Sequence, residues 1–301
     1  MGLSVLVLIA SSYLYSSTDV IRSETSLEKP NIKIAFTSVR DGNEDIYLMN
    51  LDGTGEIRLT SFSARDSQPS LSPDGSKVAF VSDSGGWSQI YIVNADGSGL
   101  KQLTMHVGGC MAPVFSPDGK TIAFTSVKKT DPTIAALLSD VYIMDADGKN
   151  KRQLTALQGF SYPMAFSPDG KHLLFYSSEH GPNPMCKIDT KGAEEVQVLA
   201  ERCSSAQYSP DGSRIVFQSG RALERSDDIY VMNADGTGIK RLTTNGAHDP
   251  SFTPDGKLIV FTKWHDGNFG IGIMNADGTN EKMITSSKYR STSPSLPLSS
   301  S

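Results

Sequence analysis

One phrase constrains this chain more than any other feature. Ser72-Pro73-Asp74-Gly75 recurs at residues 116–119, 167–170 and 209–212, and a Thr-headed copy fills 253–256. The copies are spaced 42 to 51 residues apart. Each is followed by a short apolar run ending in phenylalanine, with Phe80, Phe124, Phe175, Phe217 and Phe261 closing the five runs. A second phrase, Ile90-Tyr91-Ile92-Val93-Asn94-Ala95-Asp96-Gly97, is echoed at 46–53, 141–148, 229–236 and 271–278. Self-similarity at this period marks a repeat architecture, and all-β repeats of roughly 40–45 residues are the blades of a propeller.

Residues 67–104 show how one repeat becomes a blade. Gln68-Pro69-Ser70-Leu71 is a short extended segment. Ser-Pro-Asp-Gly then turns the chain, since Pro presets φ and Gly accepts positive φ. Residues 77–82 are rich in strand formers, 83–86 break the run, 89–94 form a third strand and 100–104 a fourth. No segment carries a sustained helical period. The expected fold is all-β: a six-bladed β-propeller of four-stranded antiparallel blades. Five blades begin at a Pro-Asp-Gly turn. The sixth is split, because residues 33–60 supply three strands without an inner one. Ser293-Pro294-Ser295-Leu296 matches Gln68-Pro69-Ser70-Leu71, so this C-terminal piece is expected to join the N-terminal blade and close the ring. A disordered Ser/Pro tail is the alternative that composition allows there.

The 301 residues are read as a signal peptide at 1–17, a polar lead-in at 18–30, the propeller at 31–297 and a tail at 298–301. The apolar stretch 3–10 suits a secretory signal core and is too short to span a bilayer. Export to the periplasm or medium follows, without a stable membrane span. A net charge of −5 argues against a nucleic-acid partner. Three cysteines make no disulfide framework, and Cys110, Cys186 and Cys203 read as small buried residues.

Two faces follow from the four-stranded plan. One carries the Ser-Pro-Asp-Gly and Asn-Ala-Asp-Gly turns and is monotonous. The other carries the strand 2–3 loops and the blade-to-blade connections, where the repeats disagree. That variable face collects Trp87, Trp264, His180 and His265 in loops, His106 and Phe160 in connections, and Tyr162 and His248 at the starts of inner strands. Loops at one end of a rigid scaffold are the usual home of function, and exposed aromatics are typical interface anchors. The expected contacts are Trp87, Trp264, Phe160, Tyr162 and His248. The channel mouth is expected to be lined by Asp66, Gln68, His248 and Asp249 among mildly polar neighbours. One histidine and two aspartates are a thin metal-ligand set, so no metal and no cofactor are assigned.

Several chemistries lack their residues. The sequence has no Gly-x-Ser-x-Gly and no phosphate-binding glycine loop. Asp145-Ala146-Asp147-Gly148 starts like a calcium loop but lacks the downstream Glu.

The phrases resemble the TolB-type propeller repeats, a WD-like family with a Pro-Asp core. Phe-Ser-Pro-Asp-Gly-Lys-Thr-Ile-Ala-Phe-Thr-Ser at 115–126 and Asp-Ile-Tyr-Val-Met-Asn-Ala-Asp-Gly-Thr at 228–237 carry the match. The resemblance implies the propeller fold and, by analogy, a periplasmic, non-catalytic protein that binds an envelope lipoprotein such as Pal. The family's namesake has an α/β domain ahead of its propeller; the repeats here begin at Lys33, so that domain is not expected within this sequence. The partner is read as a protein or peptide bound by a monomer on the variable face. Oligogalacturonate lyases carry similar repeats with histidines and a metal over the channel. The alternative reading is therefore a metal-dependent polysaccharide lyase or hydrolase, with His106, His180, His248 and His265 on the relevant face.

Overall fold

Ser72 shows why each repeat turns where it does. Its hydroxyl donates to Asp74 Oδ1 at 2.6 Å and accepts the Lys77 N–H at 2.9 Å, while Asp74 accepts the Ser76 N–H. Gly75 closes the turn at φ 69°, with its N–H on the Ser72 carbonyl. The same bonds recur at Ser116, Ser167, Ser209 and Thr253. Each turn thus satisfies its own backbone, which lets a strand reverse without help from a neighbouring blade.

The structure is a computed structural model that describes residues 32–128, 138–192, 195–220 and 227–297. The expected signal segment, lead-in and tail lie outside the described residues. The described chain forms six four-stranded antiparallel sheets. Blade two runs Asp66–Leu71, Lys77–Ser82, Gln89–Asn94 and Lys101–Gln102 from the axis outward. Blade one takes its inner strand, Arg290–Ser295, from the C-terminal end, paired with Lys33–Val39 through Ala35–Ser295 and Thr37–Thr292. The expected ring closure is therefore present, and the tail alternative fails for this segment. One turn of 3-10 helix, Ser178–His180, is the only helix among the described residues.

The core lies between blades. The phenylalanine closing each second strand is shut off from solvent in all six: Phe36, Phe80, Phe124, Phe175, Phe217 and Phe261. Six apolar clusters result, each shared by two neighbours around the ring, including one that joins Ile34 and Phe36 to Val260 and Leu296. Truncating one such phenylalanine costs about 3–5 kcal/mol. Blades also meet at their turns: a Cβ on Gly236, at φ 90°, would lie 2.8 Å from the Leu199 carbonyl oxygen of blade four. Glycine is required there both by conformation and by space.

Candidate binding face at the channel mouth

The inner strands do not run straight into the axis. Gln68, Ala112, Ser205, Asp249 and Ser293 all sit at positive φ, between 35° and 54°. At each the register with the second strand slips by a bulge. A bulge bends a strand and re-aims its side chains, here toward the axis. Neighbours hold the strained backbone. The Ala112 N–H donates to Gln68 Oε1 at 2.8 Å, that of Asp249 to Gln218 Oε1 at 3.2 Å, and that of Ser293 to Thr262 Oγ1 at 3.1 Å. In blade four the place belongs to Pro163, whose ring forbids positive φ, and the register shift falls between Pro163 and Ala165 instead.

These strands enclose an axial cavity of about 510 Å³ in which Pro69, Pro113, Pro163, Pro250 and Pro294 face one another. A second hollow of about 330 Å³ shares Gln68, Gln218, Asp249 and Ser293 with it and opens past Arg65, His248, Phe269 and Arg290. The mouth is therefore continuous with the shaft.

Aromatic side chains rim this opening in two groups. On blade four, Tyr162 stacks on Tyr176, its cross-strand partner, with centroids 4.9 Å apart and planes 15° from parallel. Phe160 leans on both. On blade six, Asp266 and Gly267 form a two-residue hairpin turn, both at positive φ. That turn sets Trp264 opposite Phe269, edge to face at 5.1 Å, and Phe269 meets His248 at 5.9 Å. Trp264 remains 56% exposed. Trp87, 57% exposed, stands apart on blade two. It precedes Ser88 and Gln89, which hydrogen-bond the connection carrying exposed Met105, His106 and Val107.

Charge at the mouth is mixed. Burial raises the Asp249 carboxyl above the usual range, against the opposing pull of His248 and of the Ser293 and Thr262 hydroxyls. Burial, then Tyr176 and Asp249, push the Tyr162 phenol upward, so it stays a hydrogen-bond donor at physiological pH. Glu44 pairs with both Arg65 and Arg290, and the Arg290 guanidinium also lies over the Phe269 ring. Donors, acceptors and open rings converge here, which is the equipment of a binding surface.

One expectation needs correction. Asp66 does not line the channel. It is fully buried at the start of its strand, at the place held by buried Cys110, Ser161, Cys203, Ala247 and Ser291 in the other blades. That position points into the wedge between blades, because side chains alternate along a strand. Its carboxylate oxygens make no hydrogen bond of ordinary length, and burial raises its pKa against the weaker pull of the nearby Ser82 and Thr60 hydroxyls. The four same-face histidines form no cluster. His180 bonds Ser177, His248 packs on Phe269, His265 pairs with Asp266, and His106 lies on blade two's connection. Among the described residues no three His, Cys, Asp or Glu side chains form a metal-holding group. The residues present do not fit a metal at the mouth.

Sequence reasoning missed Tyr176, Phe269 and Gln218. Tyr176 was legible, since folding blade four about its Ser-Pro-Asp-Gly turn brings 176 opposite 162. Phe269 was legible too, as Asp266-Gly267 signals a two-residue hairpin. Gln218 had no signal.

Comparison with known proteins places this geometry in a family. The family described as TolB beta propeller domain matches residues 29–138 and 139–299. The Tol-Pal system protein TolB of Helicobacter hepaticus is 32% identical over 146 residues, covering 46% of this chain and 34% of that protein. The chain thus matches about a third of the length of such curated relatives. The crystal structure of TolB from Acinetobacter baumannii superposes with a TM-score of 0.77 at 22% identity, over 88% of this chain and 66% of that one. An oligogalacturonate lyase in complex with manganese superposes with a TM-score of 0.52 at 19% identity, over 79% of this chain and 84% of that one, a likeness of fold alone. Among the described residues no helix is long and apolar enough to cross a membrane. With the family match running through all six blades, the chain belongs to the TolB β-propeller domain family.

Proposed function

We propose that this protein is a non-catalytic, exported propeller that binds a protein or peptide partner on its variable face, with the channel mouth as the centre of the contact. One observation carries the reading: exposed Trp264 and half-buried Phe160, Tyr162 and Phe269 gather around the mouth, whereas the opposite face repeats the same self-satisfied turns. Tyr162, Phe160 and His248 border the cavities, Trp264 packs on Phe269 at their rim, Gln68 and Asp249 supply polar contacts within them, and Trp87 extends the surface to blade two. Aromatic anchors beside a pocket are where binding energy concentrates. The relatives named as Tol-Pal system proteins support an envelope partner and a periplasmic or extracellular site of action.

The test uses the peptidoglycan-associated lipoprotein of the same genome, purified without its lipid, titrated calorimetrically into the protein. Binding that falls at least tenfold in Trp264→Ala is expected. An absence of binding sinks the lipoprotein as partner. Binding that is indifferent to Trp264, Tyr162 and Trp87 sinks the face. Among the described residues no arrangement of side chains favours the metal-dependent lyase reading, since its four histidines form no cluster.

A further inference from the structure

Blade four departs from the others at its outer edge. In blade five, buried Asp228 on the third strand accepts from Arg241 and from the Thr243 hydroxyl on the fourth. Blade one repeats this with Asp45, Arg58 and Thr60, and blade three with Asp140, Gln153 and Thr155. Blade two uses Gln89 and Thr104, and blade six keeps only the threonine, Thr285, with Gly270 and Met283 in the other two places. The ladders align Val198 of blade four with Arg241 of blade five, because Cys186 pairs with Val198 where Tyr230 pairs with Arg241. In the same frame Pro184 replaces Asp228 and Ala200 replaces Thr243. The polar network is gone, and apolar residues hold all three of its places.

The edge itself changes with it. The outer strands of the other blades are Ile57–Arg58, Lys101–Gln102, Arg152–Gln153, Lys240–Arg241 and Lys282–Met283. Each is two residues long and carries Lys or Arg. Short edges with cationic side chains are how propellers and other sheets resist pairing with a further strand. The edge of blade four, Gln197–Ala200, is four residues long and has neither cation. Val198 on it is 43% exposed. Exposed Glu195 and Glu201 flank it, and the nearest ladder cation, half-buried Lys187, lies one strand inward opposite Gln197.

We infer that the outer edge of blade four is a strand-addition site for an extended segment of a partner protein, one that alternates basic and apolar residues. An incoming strand gains main-chain hydrogen bonds from this edge, its apolar side chains cover Val198, and a cation at its end meets Glu195. The acidic flanks disfavour a second copy of this same edge, which would set like charges against each other. The site is a surface on the ring's circumference, separate from the channel mouth.

The test uses a fluorescent peptide, acetyl-Lys-Val-Lys-Val-Lys-Val-amide, read by anisotropy against the full chain. Saturable binding is expected. It should fall at least tenfold with Val198→Arg, which restores the residue type of blades one and five. It should fall as far when alternate peptide nitrogens are methylated, which removes edge donors but no charge. Trp264→Ala should leave it unchanged. No saturable binding, or binding untouched by Val198→Arg or by N-methylation, overturns the proposal, the latter marking plain charge attraction. Concentration-dependent dimerisation that Val198→Arg abolishes overturns it in favour of a second copy.

Discussion

Blades four and five are neighbours built on one plan, yet they are secured by different means. Blade five clasps its outer strand with Asp228, Arg241 and Thr243, and the Gly246 N–H adds a further donor to the same carboxylate. Blade four has Pro184, Val198 and Ala200 in those places and holds its outer strand by the backbone ladder without that clasp. The first carries the repeat phrase Asp-Ile-Tyr-Val-Met-Asn-Ala-Asp-Gly; the second has lost it. The same blade breaks the inner-strand rule by placing Pro163 where its neighbours adopt positive φ, and it brings three aromatic rings to the channel mouth. Repetition therefore marks the residues that hold the ring, and departure from it marks residues released for other contacts.

Removing the shared closure should do more damage than removing any one blade's clasp. A chain ending at Tyr289 loses the inner strand Arg290–Ser295 and buried Leu296. It should lose cooperative thermal unfolding altogether, since a deficit beyond about 5 kcal/mol consumes a typical domain's stability. A sharp unfolding transition near the parent's temperature would contradict the closed-ring account.

Next in size is the clasp. Asp228→Ala should cost about 3 kcal/mol in denaturant unfolding, because it strands Arg241, Thr243 and the Gly246 N–H together. Pro184→Ala, at the matching place in blade four, should cost well under half as much. Equal losses would erase the distinction between the two blades.

Asp66 should show the opposite sign. Its carboxylate is buried with no hydrogen bond of ordinary length, only the nearby Ser82 and Thr60 hydroxyls, where two other blades have serine. Asp66→Ser should stabilise the protein by about 1–3 kcal/mol at pH 7. Burial raises its folded pKa above the usual aspartate value of 3.8, so the folded state binds the proton more tightly. Its cost is fully present above the folded pKa and fades as pH falls toward 3.8. The advantage of serine should shrink on acidification, and a destabilised Asp66→Ser would show that the carboxylate has a partner.

The smallest of these effects is at the turns. The Ser209 hydroxyl, then the Ser213 N–H and hydroxyl, lower the Asp211 pKa to about 2. Its contribution is present above 3.8 and lost as pH falls toward 2. Asp211→Ala should cost about 1 kcal/mol at pH 7, by analogy with the loss of a capping side chain, and nothing below pH 2. A loss independent of pH would assign the effect to the chain's conformation and not to the carboxylate.

Much of the fold was legible because turns that satisfy themselves are local: Ser, Pro, Asp and Gly act within five residues of each other. Ring closure was legible because Ser293-Pro294-Ser295-Leu296 repeats a known inner strand. The site was less so. Trp264, Tyr162 and Phe160 could be assigned to a face by counting strands. Asp66 could not be separated from Gln68 that way, since only the pleat and the bulge decide which side chain enters the channel. Tyr176 and Phe269 depended on cross-strand register, and Gln218 on a hydrogen bond between blades. The clasp was hidden for the same reason, as Asp228 and Arg241 meet only once two strands are aligned.

The central claim is that the variable face binds and the turn face does not. Two substitutions decide it in one calorimetric series with the purified lipoprotein: Trp264→Ala on the variable face and Lys120→Ala on the turn face, both at exposed positions. The account predicts at least a tenfold loss of affinity for Trp264→Ala, melting temperatures close to the parent's for both, and unchanged binding for Lys120→Ala. Full affinity in Trp264→Ala together with a loss in Lys120→Ala would place the partner on the opposite face and contradict it.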